Sequence, residues 1–169
     1  MDSESSSHRI EVTVDAAGWH SAVIGPETIC RQAVAAAIEA VRPGTGGLEV
    51  SVLLADDAAI HALNRTWRGK DRPTNVLSFP AGQPPAGFPP DLAWPLGDLA
   101  LAFETCAAEA ATEGKTLAQH LAHLVVHGTL HLLGHDHETP AEAEAMEALE
   151  RRILASLGVP DPYRPEIAA

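Results

Sequence analysis

Residues 127 to 137 read His-Gly-Thr-Leu-His-Leu-Leu-Gly-His-Asp-His, a segment holding four of the chain's nine histidines. Upstream of it Leu117, Leu121, Leu124, Val125 and Leu132 recur at helical spacing, which predicts a helix over 116–133. His127 and His131 then stand one turn apart on a single face, where two imidazoles can grip one ion. Gly134 fits the residue that ends the helix, because glycine enters a left-handed cap without steric cost. The chain folds back there and brings His135, Asp136 and His137 toward the same point. A single histidine on a helix is ordinarily a core or surface residue, but this density points to a metal centre. Three neutral imidazoles with an open fourth position describe a catalytic zinc site, whereas four protein ligands describe a structural one. His120 and His123 fall on the same helix face and compete as ligands. They lie farther from the returning turn, so they are read as packing residues or as supports for a ligand.

The spacing H-x-x-x-H makes this a zincin-like metal helix. In the zinc peptidases of that type the motif is H-E-x-x-H, with the glutamate as general base. Gly128 stands at that place here, so peptide hydrolysis by that route lacks its base. A zinc peptidase is the less favoured alternative for this reason.

A second stretch carries chemistry of a different kind. Arg65, Arg68, Lys70 and Arg72 place four of the eleven basic residues within eight positions. The chain as a whole is nevertheless acidic, with a formal charge of −12. Asp136, Glu138, Glu142, Glu144, Glu147 and Glu150 crowd the C-terminal part and form an acidic face. This balance excludes a non-specific nucleic-acid binder, which would be basic. It suits a substrate docked and oriented by a small patch. A guanidinium in that patch matches phosphate, being permanently charged and able to bond it in two places.

The histidine segment resembles the signature of the YbeY family of metal-dependent endoribonucleases. The segment around Arg68 does so as well, where a basic loop precedes Thr74-Asn75-Val76-Leu77-Ser78-Phe79-Pro80. Leu96-Gly97-Asp98 and the ending Asp161-Pro162-Tyr163 add support, so the resemblance spans nearly all of residues 10–163. It implies that His127, His131 and His137 hold one Zn2+ and that His135 is not an obligatory ligand. It implies Arg68 as the functional arginine, bracing a phosphate. Asp136 would orient a ligand imidazole or accept a proton, and Asp98 is read as structural. The implied activity is single-strand-specific cleavage of RNA phosphodiesters, in ribosomal-RNA maturation (3′-end processing of the small-subunit RNA) and ribosome quality control. Single-stranded RNA, ribosomal RNA and the small ribosomal subunit are the implied partners, with no DNA and no membrane. The alternative in another class is a ribosome-assembly binding factor whose metal is structural.

The remaining pattern fixes the framework. Strands are expected over 10–14, 48–55, 74–79 and within 96–102, and helices over 26–41, 56–67, 103–113 and 140–157. Thr139-Pro140-Ala141-Glu142 is a capping box, and Met146, Leu149, Ile153 and Leu157 line one buried face after it. Residues 1–8 read as a flexible tail, and residues 81–95, with five of the thirteen prolines, as a loop. Periodicity alone admits α/β or α+β. The resemblance narrows this to an α+β fold, a single domain over 1–169 with a small mixed sheet of about four strands packed with helices. Cys30 and Cys106 are isolated, which favours buried free thiols over a disulfide. No apolar run spans a membrane or follows the N-terminus as a signal core, so a cytoplasmic protein is expected.

Overall fold

Arg9–Val14 (β1) alternates exposed and half-buried residues, while Leu48–Ala55 (β2) and Trp94–Ala102 (β4) are apolar along most of their length. That difference places β1 at an edge and the other two strands in the middle, buried on both sides. The computed structural model, which describes residues 8–44, 47–70, 74–82, 85–89 and 92–163, has this arrangement. The sheet order is β1-β2-β4-β3, with Val76–Pro80 (β3) at the far edge. β1, β2 and β4 run parallel, and β3 pairs antiparallel with β4. The result is the expected four-stranded mixed sheet of an α+β fold.

One sheet face meets Pro26–Val41 (α2) and Leu117–Leu132 (α5), which also pack on each other, with Pro140–Ser156 (α6) behind them. Val50, Val52, Leu54, Leu99 and Leu101 join Leu121, Val125 and Ile153 in this main core. A smaller cluster of Ala55, Ile60, Leu77, Ala100 and Ala102 lies on the opposite face, under Asp57–Arg68 (α3). Phe103–Glu113 (α4) follows β4 directly. Cys30 and Cys106 are buried and free, and burial pushes the Cys30 thiol up to about 12 and the Cys106 thiol up as well. Among the described residues no helix is long and apolar enough to cross a membrane.

Several boundaries differ from the sequence reading. The short helix Gly18–Ala22 (α1) has no periodicity to announce it; it forms around Trp19, which is fully buried and donates its Nε1–H to the Ala55 carbonyl at 2.9 Å. β4 begins at Trp94, inside the expected proline-rich loop, because Leu48 is available as its parallel partner. β3 begins at Val76, two residues later than the pattern of residues 74–79 suggests. Residues 1–7, Arg72 of the basic cluster, and residues 83, 84, 90 and 91 of the loop lie outside the described residues.

Gly97 is where the sheet depends on a missing side chain. The β2–β4 register slips between Glu49↔Pro95 and Val50↔Gly97, leaving Leu96 as the extra residue of a bulge. Gly97 has φ 152°, and a Cβ there would sit 2.5 Å from the Phe79 carbonyl oxygen and 2.7 Å from Leu132 of α5. Backbone cannot yield as a side-chain tip can, so both strain and overpacking oppose any larger residue. Gly97→Ala is expected to lower unfolding free energy by about 2–4 kcal/mol in denaturant titrations. An unchanged midpoint would contradict this account of the bulge.

Candidate metal centre

The histidine helix is fixed at both ends by its own sequence. At its start Thr116 Oγ1 accepts from the Gln119 backbone N–H at 3.0 Å, and Gln119 Oε1 accepts from the Thr116 N–H at 3.2 Å. At its end Gly134 has φ 100°; its N–H donates to the His131 carbonyl at 3.0 Å and the His135 N–H to the Leu130 carbonyl at 2.9 Å. Those two bonds form a Schellman closure, which turns the chain back over the last helical turn. His137 returns beside His127 and His131 as a consequence.

The three rings each offer one nitrogen, and these nitrogens all lie within 4.8 Å of one another. His127 Nε2 and His131 Nε2 are 3.2 Å apart. Ligands about 2.0–2.1 Å from a tetrahedral zinc are separated from each other by about 3.3 Å, so this pair already has the spacing of two zinc ligands. Burial first, then the neighbouring His127 and His137, pull the His131 pKa below its usual value. A neutral imidazole with a lone pair to give is the ligand form. The residues present therefore fit a metal ion.

The tautomer of His127 is set by a residue the sequence reading assigned to the acidic face. Glu150 of α6 is fully buried, and its Oε2 accepts from His127 Nδ1–H at 2.6 Å. A carboxylate only accepts, so the proton is on Nδ1 and Nε2 is bare. Glu150 Oε1 accepts from His123 Nε2–H at 3.0 Å and from the Tyr163 hydroxyl. Burial alone would raise the Glu150 carboxyl; the bonds from His123, His127 and Tyr163 bring it down to about 2. The signal was available in the spacing: Glu150 lies four residues after Met146 and three before Ile153, on the apolar face of α6. Its acidic neighbours in sequence masked that position, and the expected acidic face loses this member.

The other candidates fall around one cleft of about 1060 Å³. Arg68, the last residue of α3, Lys70, the whole of β3 and the three histidines all line it. The Arg68 guanidinium donates to the Ser78 carbonyl and lies 5.4 Å from the Phe79 ring centroid. Asp136 lines the cleft and accepts the His137 backbone N–H at 2.7 Å; the carboxylate on an imidazole of the triad is that of Glu150. His120 is deep in the protein and donates to Glu109 at 2.8 Å. His135 is outside the group of three, and Asp98 is an exposed position of β4. Gly128 faces the sheet: a Cβ there would meet Leu99 at 2.7 Å, which leaves no room for the glutamate of the peptidase motif.

Comparison with known proteins identifies a family and a shared fold. The sequence model of the family described as Endoribonuclease YbeY matches residues 23–158. A protein of Rhodopseudomonas palustris named Endoribonuclease YbeY is 55% identical over 153 residues, covering 90% of this chain and 88% of its own. One of the same name from Paramagnetospirillum magneticum is 53% identical over 157 residues, covering 91% and 96%. A solution structure of a Thermotoga maritima protein shares the fold at a TM-score of 0.56, with 23% identity, over 92% of this chain and 99% of that one.

The depressed Glu150 carboxyl makes a statement about acid stability. Its native pKa is about 2 against an ordinary 4.5, so the unfolded chain takes up this proton first as pH falls. The stabilisation is complete above about pH 4.5 and is lost down to about pH 2. Denaturation across that window is expected to show a steeper acid dependence in the wild type than in Glu150→Gln. Parallel curves would remove Glu150 from the acid response.

Proposed function

Because this chain belongs to the Endoribonuclease YbeY family, we propose that it is an endoribonuclease that hydrolyses single-stranded RNA at one Zn2+ held by His127, His131 and His137. The observation that carries the reading is the convergence of three ligand nitrogens, two of them at zinc-ligand spacing, on the wall of an open cleft. A centre of three protein ligands beside such a cleft has room for water and substrate, which a closed structural site does not. The same openness favours an enzyme over a binding factor with a structural metal.

When bound, the ion supplies Lewis acidity, polarising a phosphoryl oxygen and lowering the pKa of water in its open position to about 7. The chain's own residues do the rest. Glu150 holds His127 with Nε2 turned to the centre. Arg68 spends one of its five donors on Ser78 and keeps the others for a phosphate at the cleft, where they offset charge in the transition state. Asp136 Oδ1 is occupied by the turn, and its Oδ2 accepts the proton of the attacking water. Lys70 adds attraction for the RNA backbone at the same rim. The substrate is placed in ribosomal RNA, at the 3′ end of the small-subunit RNA, with the small subunit as partner, a cytoplasmic location and a role in ribosome quality control. The family resemblance supports this placement.

Two measurements test the proposal. Metal analysis of purified variants is expected to show loss in His127→Ala, His131→Ala and His137→Ala and retention in His135→Ala; full occupancy in any of the first three sinks the ligand set. Single-turnover cleavage of a single-stranded RNA by metal-loaded Arg68→Ala is expected to fall about a hundredfold or more, the scale of one preorganised electrostatic contact. Arg68→Lys recovers only part, since an ammonium cannot make the two-pronged contact. Arg65→Ala serves as the charge control. Equal losses in Arg65→Ala and Arg68→Ala would reduce the patch to bulk attraction.

A further inference from the structure

The histidine cluster is tied to Tyr163, at the end of the described residues, through the carboxylate that His127 itself bonds. Three donors converge on one buried carboxylate: His127 Nδ1 on Glu150 Oε2, and His123 Nε2 and the Tyr163 hydroxyl on Oε1. Among the described residues His123 Nδ1 is buried with no partner, and Nε2, which faces an acceptor-only carboxylate, carries the ring proton. Burial, and then the bond to Glu150, push the Tyr163 phenol above its usual pKa, so it stays a donor.

Tyr163 is itself held in place. Its backbone N–H donates to Asp161 Oδ1 at 2.8 Å, and Arg151 Nε donates to the same carboxylate at 3.2 Å. The Arg151 guanidinium lies 5.4 Å from the Tyr163 ring centroid, and His123 meets that ring edge-on at 5.3 Å. Glu150 and Arg151, consecutive on α6, thus divide the work. One reaches inward to the histidines, and the other clamps the turn that carries Tyr163.

We propose that Tyr163 is a positioning residue for the metal centre: acting through Glu150, it fixes the tautomer and ring orientation of His127 and thereby sets metal affinity. The inference rests on the reading that His127, His131 and His137 hold the ion. Its physical basis is that a carboxylate whose Oε1 loses the hydroxyl keeps only His123 there, and can turn about its Cγ–Cδ bond. The His127 Nδ1–H then loses a fixed acceptor. Removing the partner of a ligand imidazole typically weakens metal binding about 10–100-fold, and a group one bond farther out should act at the lower end.

The test uses the full chain and measures affinity rather than activity. Co2+ binding is followed by visible absorption and Zn2+ binding by chelator competition, for wild type, Tyr163→Phe, Glu150→Gln and the double variant, with thermal melting of each metal-free protein. Tyr163→Phe is expected to weaken metal about 10-fold and Glu150→Gln about 10–100-fold. The double variant is expected to bind no more weakly than Glu150→Gln, because Tyr163, whose hydroxyl also lies 3.2 Å from His123 Nε2, reaches His127 through that carboxylate. Wild-type affinity in Tyr163→Phe overturns the proposal, as does an additive loss in the double variant. Arg151→Gln probes the same link from the protein surface, with a smaller loss expected, and carries the test if Tyr163→Phe does not fold. Metal binding untouched by His131→Ala would instead overturn the three-histidine reading itself.

Discussion

Everything in this fold is arranged so that one helix can satisfy two unlike surfaces. Along one side, α5 packs Leu121, Val125 and Leu132 against α2 and the sheet; along another, it presents His123, His127 and His131. The approach to the sheet is close enough that a Cβ at Gly128 would lie 2.7 Å from Leu99. β4 answers with a bulge at Leu96 and a glycine at 97, which let Leu132 settle over the strand. Close packing of this kind resists displacement, since interiors have little free volume to absorb it. A rigid bed under the helix keeps His127 and His131 in register.

The carboxylate behind the centre gives that rigidity a chemical direction. A buried ionised group is unfavourable unless its lone pairs are met by donors, and Glu150 meets three. With a dication at the histidines, Glu150 is also a countercharge one ring away. Net charge and local charge therefore differ in meaning here. The chain is acidic overall, while the cleft that the imidazoles line brings Arg68, Lys70 and Lys115 together with Glu109, Glu113, Asp136 and Glu138.

Much of this was legible in the order of residues, and the exceptions share a cause. The helix, its glycine stop and the return of His137 follow from local periodicity and cap chemistry, which depend on neighbours in sequence. The four-strand mixed sheet came from the family resemblance, since alternation alone left two fold classes open. Glu150, Trp19 and the bulge at Leu96 were missed because each is defined by partners far along the chain: His127 lies 23 residues from Glu150, and Ala55 lies 36 from Trp19. An acidic residue among acidic residues looks solvated until the opposing helix face is known. Asp136, adjacent to His137 in sequence, accepts the His137 backbone N–H and so closes its own turn.

The position of β3 carries a consequence for how the molecule behaves in company. A strand at the rim of a sheet offers unpaired backbone groups to any other extended chain, and proteins with such rims are prone to stacking into aggregates. Here the rim is short, ends in Pro80, and has the Ser78 carbonyl covered by the Arg68 guanidinium. The arginine that lines the cleft therefore also occupies one acceptor of that rim. On the proposed mechanism the same side chain would also hold phosphate, so a substitution of Arg68 would act on both contacts at once.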